Sequence, residues 1–245
     1  MYRFYINKEN INDGGISITG TDVNHIKNVL RLEKGSWIIA CDGDGTDYIS
    51  RIIDMDSHHV SLNIEKIQET DTELSTKLVL FQGLPKGDKM ELIIQKTVEL
   101  GVYEIVPILT KRCVVKLNES KALKKQERWQ AIAEAAAKQS GRGIIPKVNA
   151  PVILEKAFDI AVSLEYNMIP YELQDGIDES RKIVANACGK KSVGIFIGPE
   201  GGFEKDEVVQ AVNRGIKPVT LGKRILRTET AGMAFISILM FAMQD

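Results

Sequence analysis

The stretch Val193-Gly194-Ile195-Phe196-Ile197-Gly198-Pro199-Glu200-Gly201-Gly202-Phe203 sets the fold class. A short β-branched and aromatic run that ends at glycine and proline reads as a buried strand followed by a loop. A second such pair follows: Pro218-Val219-Thr220-Leu221, then Gly222-Lys223-Arg224-Ile225-Leu226-Arg227-Thr228-Glu229-Thr230-Ala231. In open α/β sheets ligands bind outside the carboxyl ends of strands, so both loops stand where a ligand is expected. Glycine, lacking Cβ, lets the backbone of Gly198, Gly201 and Gly202 approach that ligand closely, and Pro199 stiffens the turn. One glycine-rich turn alone is an ordinary strand-to-helix connection. Two, the second carrying Arg224, Arg227, Thr228, Glu229 and Thr230, point to a site.

Upstream of these loops, strands and helices alternate. Leu78–Phe81 reads as a strand and Lys89–Leu100 as a helix that places Met90, Ile93, Ile94, Thr97 and Val98 on one face. Ile105–Leu109 reads as the next strand, with Pro107 arguing for a sheet edge or a strand end. A helix through Gln126–Gln139, a strand at Ile160–Leu164, and helices near Glu179–Ala187, Lys205–Arg214 and Thr230–Met243 complete the pattern. Such alternation implies a mostly parallel sheet covered on both faces.

The first 70 residues differ in texture. Ile16–Ile18, Trp37–Ala40, Tyr48–Ile53 and Val60–Ile64 read as strands separated by turns, with Asp22–Leu32 as a helix burying Val23, Ile26, Val29 and Leu30. The Asp42–Asp47 stretch is a hairpin turn, since it lacks the glycine and distal glutamate of a calcium loop. The polar, acidic Glu69–Thr76 reads as a linker, giving a β-rich unit over 1–72 and an α/β unit over 73–245.

Composition excludes several classes. The chain is 44% hydrophobic and 27% charged, ordinary for a globular protein. Three dispersed cysteines without a CxxC pair argue against a disulfide framework or zinc site and suit a reducing cytoplasm. No metal site is expected. The amino terminus lacks the apolar core of a signal peptide. The longest apolar stretch, Met233–Met243, falls short of the roughly 20 residues of a membrane span, so no membrane is expected. The net charge is −1, with 32 basic against 33 acidic side chains, so RNA binding would need a local basic patch. Lys111, Arg112 and Lys116, then Lys121, Lys124, Lys125, Arg128 and Trp129, then Lys138, Gln139 and Arg142, form one candidate. By itself such a run reads as a solvated helix face.

At Ile197–Phe203 (IGPEGGF) and Leu221–Ala231 (LGKRILRTETA) the chain resembles the RsmE-type 16S ribosomal RNA uridine-N3 methyltransferases. Arg3-Phe4, His25…Leu30-Arg31, QKTVELGV, TKRCVVK and RW…EAAAKQSGR extend the resemblance over nearly the whole chain. The resemblance implies a SPOUT trefoil-knotted carboxyl-terminal domain, a small amino-terminal PUA-like β-barrel that helps hold RNA, and a homodimer. No periodicity in the sequence points to a knot. The implied cofactor is S-adenosyl-L-methionine (AdoMet), leaving as S-adenosyl-L-homocysteine. The resemblance supports cofactor contacts at Gly198, Pro199, Glu200, Gly201, Gly202, Leu221, Gly222, Ile225, Leu226 and Thr230, with Leu164 and Glu165 on a third side. Arg3, Arg31, Arg112, Arg128, Arg142 and Arg224 are the implied RNA contacts within 16S rRNA of the small subunit. Because N3 of uridine carries a proton at neutral pH, the chemistry needs a base or a cation to stabilise the uracil anion. Glu229 is the candidate base and Arg227 the candidate stabiliser or phosphate clamp. Glu229 also suits a helix amino terminus, and Arg227 a cap or salt bridge. A nicotinamide-dinucleotide enzyme is the first rival, but this chain lacks both G-x-G-x-x-G and the P-loop. A binding protein that kept the fold without the chemistry is the second.

Overall fold

The computed structural model describes residues 1–12, 14–115, 118–172 and 176–243; Lys116 of the basic patch lies outside them. The chain divides into two units, one of residues 1–73 with 137–145, the other of 74–136 with 146–245. The first unit is therefore discontinuous in sequence.

In the first unit alternating residues put one face of each strand into a core. The strands β1 (Tyr2–Tyr5), β2 (Ile11–Asn12), β3 (Gly15–Thr19), β4 (Trp37–Cys41), β5 (Thr46–Met55) and β6 (His59–Glu69) form one sheet in the order β1-β4-β5-β6-β3-β2. Among the described residues of this unit, only β1 and β4 pair in parallel. Phe4, Ile16, Ile18, Ile38, Ile52, Val60 and Leu62 share the core, each large side chain contributing about 1.5–3 kcal/mol by leaving water. The Asp42 carboxylate accepts the N–H groups of Asp44 (2.9 Å) and Thr46 (3.1 Å), closing the β4–β5 hairpin. The helix expected over Asp22–Leu32 is shorter: α1 (Thr21–Asn24) passes into a wide turn over His25–Val29, where Leu30 N–H bonds the His25 carbonyl five residues back. That wider turn breaks the 3.6-residue phase, so Val23 and Ile26 are buried while Val29 is 64% exposed.

Segment 137–145 is held to this sheet by charge. The Glu73 carboxylate pairs with the Arg142 guanidinium and accepts the N–H groups of Gly143 (2.9 Å) and Ile144 (3.2 Å). Tyr5 Oη donates to the Arg142 carbonyl, and burial pushes its phenol well above the usual range.

In the second unit every strand pairing is parallel. In chain order the elements are β7 (Lys77–Gly83), α2 (Lys89–Glu99), β8 (Glu104–Leu109), α3 (Glu119–Ser140), β9 (Lys147–Val148), β10 (Val152–Ile153), α4 (Leu154–Ala161), β11 (Tyr166–Pro170), α5 (Ile177–Ala187), β12 (Ser192–Ile197), α6 (Lys205–Asn213), β13 (Lys217–Val219) and α7 (Thr228–Met243). The sheet runs β10-β8-β7-β12-β11-β13, with β9 also on β8. Buried on both faces, β7 and β12 are continuous apolar runs, as parallel strands require. Phe81 and Phe196 stack across them at 4.3 Å between ring centroids. The expected mixed α/β architecture is thus present.

Two expectations need correction. Pro107 does not mark an edge, because β8 has neighbours on both sides. It falls between the residues paired with β9 (Glu104, Ile105) and those paired with β10 (Ile108, Leu109), in a gap where its missing N–H is not needed. The strand expected at Ile160–Leu164 is instead the end of α4 and the turn after it. Leu154, Ala157, Phe158 and Ala161 are the buried face of that helix, an i, i+3, i+4, i+7 pattern that outranks a five-residue apolar run. The strand lies one segment later, at Tyr166–Pro170.

Candidate active site

Because β12 sits between β7 and β11, with β13 beyond, the loops leaving β11, β12 and β13 come together at one end of the sheet. Between them lies a cavity of about 590 Å³, within the range of about 300–1,000 Å³ usual for small-molecule sites. Its walls are Pro170–Glu172 with Gly176 and Ile177, then Ile197–Phe203, then Thr220–Leu226 with Thr228 and Ala231.

The β12 loop is shaped by two glycines. Gly202 has φ +68, and its N–H bonds the Pro199 carbonyl at 2.9 Å, closing a tight turn. A Cβ on Gly198 would stand 2.9 Å from the Gly202 carbonyl carbon, so only glycine lets the two backbones pass so closely. Outside the turn, Arg112 donates from Nη1 to the Gly201 carbonyl (2.6 Å) and from Nε to Glu204 (2.8 Å). The two loops are tied by one hydroxyl: Thr228 Oγ1 donates to the Gly198 carbonyl (2.6 Å) and accepts from the buried Gln82 Nε2 (2.9 Å).

Both signs of charge line the cavity, Glu172 and Glu200 on one side and Lys223 and Arg224 on the other, as suits a zwitterionic ligand that also carries a sulfonium. The Glu172 carboxylate lies 3.3 Å from where a Cβ on Gly202 would stand. Glu200 accepts the Lys86 N–H (3.1 Å) and the Lys89 ammonium (3.0 Å). Burial works against its charge, yet backbone N–H groups and Lys89 hold its carboxyl below the usual range. AdoMet is such a ligand. The glycine-lined wall leaves backbone N–H and C=O groups close at hand for a purine and ribose, so the residues fit the cofactor.

Of the expected cofactor residues, Gly198, Pro199, Glu200, Gly201, Gly202, Leu221, Gly222, Ile225 and Leu226 line the cavity. Thr230 is exposed in the first turn of α7 and does not. Leu164 and Glu165 are corrected: they precede β11, at its amino end, where Glu165 accepts the Lys191 N–H (3.0 Å). The third wall is Pro170, Tyr171 and Glu172, at the carboxyl end of the same strand. The signal was available in Met168-Ile169-Pro170, an apolar pair stopped by proline and followed by polar residues.

Glu229 and Arg227 stand beside the cavity and not in its wall. The Glu229 side chain is 15% exposed, and its Oε2 is buried without a hydrogen-bond partner among the described residues. Its nearby cation is Lys89, at 3.7 Å. Arg227 and Arg224 are exposed, Arg224 on the cavity rim.

The remaining arginines separate. Arg31 is exposed with φ +52, and Arg128 is exposed while paired with Glu91 (2.8 Å). Arg142 is a correction, since it is 3% exposed and committed to Glu73. Arg3 is largely enclosed by its pair with the buried Asp47 (2.9 Å). Arg112 braces the β12 loop, and Lys111 pairs with Asp206. Trp129 is core at 3% exposure. The exposed cations of α3 in the second unit are Lys121, Lys124 and Arg128.

Comparison with known proteins agrees with this geometry. Residues 72–240 match a family described as an RNA methyltransferase domain, and residues 18–65 an RNA methyltransferase PUA domain. The chain is 36% identical to the ribosomal RNA small subunit methyltransferase E of Bacillus subtilis, over 98% of this chain and 96% of that one. It is 34% identical to the protein of that name from Mesomycoplasma hyopneumoniae, over 97% and 98%. A crystal structure of the Neisseria gonorrhoeae protein of that name, bound to S-adenosyl methionine, superposes with a TM-score of 0.82 at 33% identity, covering 98% of this chain and 97% of that one. With cavity, glycine loops and full-length likeness in one chain, this protein belongs to the ribosomal RNA small subunit methyltransferase E family.

Proposed function

We propose that this protein methylates N3 of a uridine in 16S rRNA of the small ribosomal subunit, using AdoMet, in the cytoplasm. The observation that carries the reading is the cavity walled by the loops after β11, β12 and β13, in a chain homologous end to end with ribosomal RNA small subunit methyltransferases E. Bound AdoMet supplies an electrophilic methyl group. The loop backbones of Gly198–Gly202 and Leu221–Leu226 orient it, and Pro170–Glu172 close the third side. Glu229 accepts the N3 proton of the uracil, and Arg227 stabilises the negative charge left on the base. Arg31, Arg128 and Arg224, which are exposed, are the RNA contacts in this reading, together with the β-rich unit that matches the PUA family. The carboxyl-terminal segment is threaded as a trefoil knot in this reading, as the resemblance to the SPOUT class implies.

The test is transfer of labelled methyl from AdoMet to small subunits prepared from cells lacking this protein. In that assay Arg227→Ala lowers turnover by about tenfold, the scale expected of an exposed, salt-screened charge. The Kd for S-adenosylhomocysteine changes less than about threefold. Full turnover in that variant would remove Arg227 from the reaction.

The protein acts as a homodimer. A helix apolar on all sides is buried on all sides, yet α7 leaves Ile238 48% and Phe241 83% exposed. Phe241→Asp is expected to shift the molecular mass measured by light scattering from dimer to monomer. A dimer that survives it would place the interface elsewhere.

A further inference from the structure

Lys89 opens α2, where the partial positive charge of a helix amino terminus disfavours a cation. Two carboxylates offset that cost: Lys89 Nζ lies 3.0 Å from Glu200 Oε1 on the β12 loop and 3.7 Å from Glu229 Oε2 on α7. Three segments of the site, distant in sequence, thus meet at one ammonium. Glu229 Oε2 is buried and takes no hydrogen bond among the described residues. A buried carboxylate oxygen without donors is costly, and a plain structural tie between α2 and α7 would satisfy it with a close donor. Held by charge at 3.7 Å, that oxygen is turned inward to Lys89, and the 15% of the Glu229 side chain that is exposed lies on its other atoms.

We propose that Lys89 is the positioning residue of the methyl-transfer reaction, holding the Glu229 carboxylate aimed while it fixes Glu200 of the cofactor loop. The proposal rests on Glu229 being the base. Lys89 itself moves no proton. The N3 proton of the uracil passes to Glu229, and the N3 electron pair is freed to form the new bond to carbon. Because Glu200 also accepts the Lys86 N–H at 3.1 Å, the ammonium links the position of the cofactor loop to that of the base.

The test is a double-mutant cycle on the full chain, in single-turnover methyl transfer to small subunits lacking the modification. The variants are Lys89→Met, Lys89→Arg, Glu229→Gln and Lys89→Met/Glu229→Gln. Calorimetry of S-adenosylhomocysteine and thermal unfolding are run alongside. Expected is a loss of about tenfold or more in Lys89→Met, the scale of one charge-assisted contact. Cofactor affinity falls by a smaller factor than the rate, and Lys89→Arg recovers most of both. In the Glu229→Gln background the further loss from Lys89→Met is much smaller, since only its hold on Glu200 remains. If Lys89→Met costs the same factor in both backgrounds, or turns over like wild type while Glu229→Gln is slow, the positioning role is overturned and the base reading stands. If Glu229→Gln keeps full turnover, the base reading fails and this proposal with it. A Lys89→Met variant that does not fold is replaced by Lys89→Gln, and full activity in Lys89→Gln overturns the role.

Discussion

Replacing Arg142 by alanine is expected to destabilise the first unit by about 3 kcal/mol, the low end of the cost of breaking a buried ion pair. The reason is the Glu73 carboxylate. With Arg142 gone it keeps the N–H groups of Gly143 and Ile144 but loses its guanidinium partner. An unpaired, largely buried charge then favours opening the 137–145 segment. Urea denaturation followed by a probe in this unit measures the loss, and the slope of RNA binding against salt provides the contrast. A residue that neutralised a phosphate would flatten that slope by about one charge when removed. The buried pair predicts lower stability and an unchanged slope. A flattened slope with unchanged stability would return Arg142 to the RNA surface.

Thr228→Val is expected to weaken S-adenosylhomocysteine binding by about 100-fold. Valine fills the same volume and removes only the hydroxyl. That hydroxyl donates to the Gly198 carbonyl and accepts from Gln82 Nε2, which is fully buried. Its loss takes one of the two acceptors from Gln82 Nε2, which still donates to the Gly83 carbonyl (2.9 Å), and leaves the Gly198 carbonyl without its hydroxyl donor, at about 1–3 kcal/mol for each unsatisfied group. The cofactor loops lose their shared anchor, so the effect falls on cofactor affinity more than on the chemical step. Calorimetry reads it directly. A Kd within about threefold of wild type would show that the two loops hold their positions independently.

How far the sequence carries the reader depends on which forces act locally. The strands β7 and β12 and the helices after them were legible, because a run buried on both faces and stopped by glycine or proline has few alternative readings. The two glycine loops were legible for the same reason, and they supply most of the cavity wall. The third wall was misplaced by one element. Ile160–Leu164 is as apolar as a strand, and only the spacing of Leu154, Ala157, Phe158 and Ala161 assigns it to a helix. Strand order lay out of reach, since nothing local places β12 between β7 and β11. The arginines divided along the same line. A sequence shows that Arg142 is basic, not that Glu73, 69 positions away, consumes its charge. Lys89 was equally silent, reading as an ordinary helix start until Glu200 and Glu229 came within reach of it.

The most direct measurement of the central claim is nucleoside mass spectrometry. Small subunits from cells lacking this protein are incubated with it and AdoMet, and their 16S rRNA is digested. Expected is 3-methyluridine at a single site, up to one per subunit, and absent when AdoMet is withheld. Methylation of another base, or no methyl group despite tight S-adenosylhomocysteine binding, would contradict it.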